Sequence, residues 1–257
     1  MIRYLRRGVI AVIPFSGVLS MKSVAPVIEL IEFAEKAPRI RGVLLNLSSQ
    51  GGSVTATEVL VMALGRLKEK KPLFVWTTMA ASGGYYAAAA ADRIMAVPSA
   101  VIGSIGVIFL KPDISALMNR LGVKVEVLKE GALKDDTLFT RKMTPAGRKK
   151  IEAINREVYD DFVGAVARGR KLPEKAVRRI ATGEVFTARR AKELGLVDEL
   201  CDLRAATELL AKEVGVKPQR VIQMRTRRPF LYSFLDRGVR TAVSEVINEI
   251  SGPGIYY

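Results

Sequence analysis

The chain has 257 residues, 49% apolar and 26% charged, enough apolar material for one large domain or a domain with an extension. A single cysteine, Cys201, excludes an intrachain disulfide, and the absence of histidine excludes Ser-His-Asp and Cys-His catalysis along with zinc sites built on imidazole. The net charge of +15 points toward an acidic partner or surface.

In chain order, Val9 to Ile13 predicts a buried strand closed by Pro14. Apolar residues then recur at helical spacing from Ser23 to Glu35, with Val24, Val27, Ile28, Ile31 and Phe33 on or near one face. Gly42 to Leu47 predicts a second buried strand, followed by a polar glycine-bearing turn at Ser48 to Ser53 and a helix from about Thr55 to Glu69. Leu73 to Thr77 is a third strand, a helix begins at Ser82, and Arg93 to Val97 is a short fourth strand. Such alternation implies parallel β-α-β units. Beyond the glycine-punctuated stretch Gly103 to Gly106, helices are predicted at Ile114 to Leu121, Pro145 to Arg168, Pro173 to Thr182, Ala188 to Leu194 and Leu203 to Val214. Strands are expected at Val123 to Leu128 and Arg220 to Met224. Phe230 to Ile250 reads as an amphipathic helix before a loose tail, Gly252 to Tyr257.

Two uncharged stretches, Pro72 to Ala91 and Ile94 to Leu110, have lengths near that of a membrane span. The first is mostly Thr, Ser, Gly, Tyr and Ala after Leu73-Phe74-Val75-Trp76, which fits a strand and a small-residue helix buried in a core instead. Gly8 to Phe15 is too short for a span or a signal-peptide apolar region, and no cleavage pattern follows it. Arginines gather at Arg3, Arg6 and Arg7 and again at Arg220, Arg225, Arg227, Arg228, Arg237 and Arg240. These read as solvated faces or as an attraction to anionic lipid, and no recognition motif supports nucleic acid.

Three segments could carry chemistry. Ser82 stands where a strand gives way to a helix, beside Gly83 and Gly84, so free N–H groups and the helix dipole favour negative charge there. A serine at such a point serves either as nucleophile or as helix N-cap. Gly51-Gly52 lies in another strand-to-helix turn, which either supplies an oxyanion donor or is a plain turn. Without histidine, lysine is the usual substitute base. A lysine serves as base only when neutral, and lowering an ammonium from about 10.4 to about 7–8 costs roughly 4 kcal/mol, which burial can supply. Lys134, after a predicted strand, is a candidate base or else a surface ion-pair partner, with Asp135 facing away if the segment is extended.

Together these segments resemble the signal peptide peptidase A family, short form, of the Clp protease/crotonase fold. The resemblance runs from about Val9 to Val214. It rests on Asn46 to Gly52, Ala80 to Tyr86, Gly103 to Val107, Lys134-Asp135, Met143 to Pro145, Gly183 to Thr187 and Ala191 to Asp198, in that order; Gln50 departs from a frequent proline. It implies an α/β fold of repeated β-β-α units with a C-terminal helical extension, divided as a peptidase domain at 1–216 and a basic extension at 217–257. It further implies Ser82 as nucleophile, Lys134 as general base, Ser104 as the residue holding the lysine amine, and the N–H groups of Gly52 and Gly83 as the oxyanion hole. No metal or organic cofactor is implied. Expected substrates are extended apolar peptides such as cleaved signal peptides. The expected assembly is a homo-oligomeric ring, commonly an octamer, with the dyad completed across a subunit boundary. Location is expected at a membrane surface or in the cytoplasm, with no span or signal peptide read in the chain. The alternatives are a peptidase of the same family acting on damaged proteins or a membrane partner, a crotonase-type acyl-CoA hydratase or isomerase, and a non-catalytic membrane-associated scaffold.

Overall fold

The computed structural model describes residues 8–225; the arginines before and beyond them, the expected helix at 230–250 and the expected tail at 252–257 lie outside the described residues. In order, the elements are β1 (Val9–Ser16), α1 (Met21–Lys36), β2 (Ile40–Ser49), α2 (Val54–Lys68), β3 (Leu73–Ala81), α3 (Gly83–Ala89), β4 (Arg93–Gly103), α4 (Ser115–Arg120), α5 (Pro145–Arg170), α6 (Glu174–Ile180), β5 (Val185–Thr187), α7 (Ala188–Glu193), β6 (Glu199–Leu200), α8 (Leu203–Glu213) and β7 (Val221–Gln223). A compact unit ends at Met224.

Seven strands form one sheet in the order β5-β4-β3-β2-β1-β7, with β6 also on β4. Every pairing is parallel except β4 with β5. Strands buried on both faces need apolar residues at successive positions, and these have them. Ile10, Val12, Leu44 and Phe74 turn one way, against Ala206 and Leu210 of α8. Ala11, Ile13, Val43, Leu45 and Val75 turn the other way, into the larger core shared with Ile31, Leu60, Leu64 and Tyr85. Tyr85 donates its hydroxyl to the Leu196 carbonyl at 2.9 Å and is fully buried, and desolvation, the largest influence, pushes its phenol upward.

The long central strands are each two strands in effect. The β2–β3 register breaks between Leu47 and Ser48, and the β3–β4 register breaks between Thr77 and Met79, where β4 advances from Ala96 to Val101. The second halves are the short strands that precede the turns at 50–53, at Ser82 and at Ser104. They turn those three points toward one another, as the expected β-β-α repetition requires.

Some elements differ from the sequence expectation. Strand β1 runs through Pro14 to Ser16. Even-numbered residues of β1 face β7: the Ile10 N–H donates to Arg220, and the Val12 carbonyl accepts from Met224. The next donor in that series would be Pro14, which has no N–H, so the proline ends the β7 ladder and leaves the bonds to β2 intact. Phe33 is exposed and off the buried stripe of α1, which is Val24, Val27, Ile31 and Ala34. Strands β3 and β4 extend past Thr77 and Val97, and the two short strands β5 and β6 were not anticipated. Val123 to Leu128 forms no strand and is exposed. The uncharged stretch Pro72 to Ala91 folds as β3 and α3, and no helix among the described residues is long and apolar enough to cross a membrane.

Candidate active site

Ser82 joins β3 to α3 with φ 51° and ψ −127°, a region that costs a non-glycine residue about 1–3 kcal/mol. Neighbouring bonds hold it there. Its N–H donates to the Gly103 carbonyl at 2.8 Å, and its own carbonyl accepts from the N–H groups of Tyr85 and Tyr86 at 2.9 and 3.0 Å. The side chain occupies the N-cap position but makes no capping bond. Its hydroxyl is thus uncommitted to the helix.

The turn at Gly51-Gly52 lies directly against this elbow. Gly52 has φ 154°, and a Cβ there would fall 2.2 Å from the Leu19 carbonyl oxygen. The turn is stitched to the β1–α1 link: the Leu19 N–H donates to Gly51, and the Ser53 N–H donates to Leu19, both at 2.8 Å. Ser53 caps α2 through its hydroxyl, and the Thr57 hydroxyl returns a bond to the Ser53 carbonyl at 2.8 Å. A Cβ on Gly83 would lie 2.5 Å from that Thr57 hydroxyl, so the start of α3 fits against α2 only without a side chain. The N–H of Gly83, in the first turn of α3, has no intrahelical acceptor.

Ser104 is the second strained serine, at φ 50°, and its N–H donates to the Glu184 carbonyl at 2.6 Å. Ser82, Ser104, Gly52 and Gly83 all lie on the wall of one cavity of about 420 Å³. Its apolar side is built from Val54, Tyr86, Val158 and Phe162, with Tyr86 stacked on Phe162 at 4.9 Å between ring centres. Burial first, then the carboxylates of Glu58 and Asp161, raises the Tyr86 phenol above its usual range. Tyr159 donates its hydroxyl to the Ala181 carbonyl at 2.9 Å, tying α5 to the 181–183 rim. Sequence reading assigned no role to Thr57, Tyr86 or Phe162. The i to i+4 spacing of Ser53 and Thr57 is the one signal that places Thr57 beside the turn.

Lys134 is not among the residues lining this cavity and is exposed. Its segment is a run of turns, not an extended strand: the N–H groups of Lys134, Asp136 and Leu138 donate to the carbonyls of Gly131, Leu133 and Asp135. Asp135 is buried and pairs with Lys129 and Arg141. The hydrogen bond from Lys129 is the largest influence, and with that from Arg141 it holds the carboxyl below its usual range against the opposing effect of burial. Asp136 is buried too and accepts from the Thr144 hydroxyl at 2.5 Å at the start of α5. Lys134 therefore rides on a loop anchored at its base.

The profile of peptidase family S49 matches residues 65–217, well over half of the chain. The chain belongs to peptidase family S49. Among its relatives, the protein named "Putative protease slr0021" of Synechocystis sp. is 32% identical over 84% of this chain and 78% of its own length. "Putative signal peptide peptidase SppA" of Enterococcus faecium is 34% identical over 72% of this chain, which spans 55% of that protein. A solved structure of a mutant 1510-N membrane-bound stomatin-specific protease, 13% identical, covers 86% of this chain and 99% of its own with a TM-score of 0.56. At that identity the likeness concerns the fold, and the α/β Clp protease/crotonase class expected from sequence stands. Membership in S49 supports a peptidase and speaks against the acyl-CoA alternative.

Proposed function

We propose that the chain is a serine endopeptidase working through Ser82 and Lys134. Neutral Lys134 takes the Ser82 proton as the hydroxyl attacks a peptide carbonyl. The N–H groups of Gly52 and Gly83 receive the developing oxyanion, Ser104 holds the lysine amine, and protonated Lys134 passes its proton to the leaving amine. The acyl-enzyme is then hydrolysed by water that Lys134 activates. The observation that carries this reading is the uncapped hydroxyl of Ser82, held in a strained backbone against two glycine turns on a shared cavity wall.

In this reading Lys134 reaches the Ser82 of a neighbouring copy in a ring, taken from the family resemblance as an octamer. The exposed apolar run supports such a neighbour: Ile108, Leu110 and Leu128 are 80%, 81% and 91% exposed, an unusual cost for a chain acting alone. The cavity's apolar wall favours extended, unfolded apolar peptides such as signal-peptide remnants. The arginine-rich ends would draw the protein peripherally to an anionic membrane surface, an attraction that weakens as salt rises. No cofactor or nucleic acid enters the scheme.

The test is direct. Ser82→Ala and Lys134→Ala should each abolish cleavage of a fluorogenic apolar peptide, and a fluorophosphonate adduct should map to Ser82 by mass spectrometry. Wild-type turnover in either variant would refute the assignment. Mixing the two inactive variants should restore part of the activity if the dyad forms between copies.

A further inference from the structure

We infer that Ser49 is a positioning residue for the oxyanion donors, a role that rests on the reading of Ser82 as nucleophile. Ser49 ends β2 and is 1% exposed. Its hydroxyl donates to the Gly17 carbonyl at 2.7 Å and accepts from the Gly51 N–H at 3.1 Å. One oxygen thereby ties the β1–α1 link to the first glycine of the donor turn.

The hydrogen bonds of that turn single out one N–H. Gly51 gives its N–H to Ser49, and Ser53 gives its N–H to Leu19. Of the three N–H groups at 51–53, only that of Gly52, between them, donates to no acceptor among the described residues. Its direction is set by how firmly its two neighbours are held, and Ser49 holds one of them. Ser49 also reaches the other donor. It pairs with Ala80 in β3, two residues before Ser82, and a Cβ on Gly84 would fall 2.6 Å from the Ser49 carbonyl oxygen. The start of α3, which carries the Gly83 N–H, therefore rests on the same residue that orients Gly52.

In Ser49→Ala the Gly51 N–H and the Gly17 carbonyl each lose a partner, and the turn must rotate to satisfy them. Donor removal lowers kcat by about 10²–10³-fold, and misplacement by about 1 Å costs about 10²-fold. Displacement of a retained donor should lower kcat by about 10- to 100-fold.

The experiment uses the full chain with a fluorogenic apolar peptide and a peptide aldehyde, whose hemiacetal oxygen occupies the donor site. Expected for Ser49→Ala are the fall in kcat, a KM within twofold of wild type, and an inhibition constant for the aldehyde raised in proportion to the fall in kcat. Ser49→Cys keeps the shape with a weaker hydrogen-bonding group and should lie between; it stands in if Ser49→Ala does not fold. A purely structural serine would lower thermal stability while leaving folded protein with unchanged kcat and aldehyde affinity. That result in either variant overturns the proposal. The site of the fluorophosphonate adduct in wild type separates the two levels. An adduct away from Ser82 sinks the nucleophile reading and the Ser49 role together; an adduct on Ser82 with unaltered variant kinetics sinks only the latter.

Discussion

Replacing Gly84 by alanine sets two effects of opposite sign against each other. Gly84 is the second residue of α3, and alanine is favoured over glycine in a helix by up to about 1 kcal/mol. The new methyl, however, would lie 2.6 Å from the Ser49 carbonyl oxygen and 3.1 Å from its Cβ. A carbon normally approaches such an oxygen no closer than about 3.3 Å, so strand or helix must yield by several tenths of an ångström. Overpacking of this kind costs about 1–3 kcal/mol, and against backbone the upper part of that range applies. The net loss should be about 1–2 kcal/mol, which lowers Tm by about 3–6 °C in a chain of this size. Gly65, in α2, is the matched control, because a methyl there meets nothing within 4 Å. Gly65→Ala should stabilise by about 0.5–1 kcal/mol. Urea or thermal unfolding of both variants, followed by peptide kinetics, checks the pair. Gly84→Ala should also lose about tenfold in kcat as α3 is pushed off the donor turn. Equal stabilisation by both substitutions would refute the packing argument.

Glycine accepts the backbone of Ser82 without strain, so Ser82→Gly should be inactive yet about 1 kcal/mol more stable than Ser82→Ala; chemical denaturation giving the reverse order would remove the claim of strain. The folded-state value of Asp135 is depressed, so its stabilising contribution is complete above the ordinary carboxylate value of about 3.9 and disappears as pH falls through the folded value. Hydrogen exchange of residues 129–142, corrected for intrinsic rates, should accelerate over that acid window, and Asp135→Asn should give the same acceleration at neutral pH. Desolvation, aided by Glu199 and Asp202, pushes the Cys201 thiol up to about 11. Alkylation by iodoacetamide at pH 8 should therefore run about a hundredfold slower than for a free cysteine peptide, and rates within tenfold would contradict the burial argument.

What could be read in the sequence was what depends on neighbours in the chain. Continuous β-branched and leucine runs gave β1 to β3, and Ser53 and Asp202 mark helix starts that the structure caps through their side chains. Ser82, Ser104, Gly52 and Gly83 were legible as motifs, and the fold brings them to one cavity because the second halves of β2, β3 and β4 converge. Lys134 was legible through the Lys134-Asp135 match, but its place was not, since that depends on a loop tied through Asp135 and Asp136 to Lys129, Arg141 and Thr144. Val123 to Leu128 alternates as a strand does, but a strand requires a partner, and this segment pairs with no strand among the described residues. β5 and β6, at three and two residues, carry too few side chains for a period to register.

A single ring nitrogen also decides how far the edge strand β7 runs beside β1. Were Pro14 an alanine, its amide hydrogen would be available to the Met224 carbonyl, and pairing could zip onward past the point where it now stops. The imino acid thus works as a stop on a zipper, holding this edge pairing to three residues of each strand.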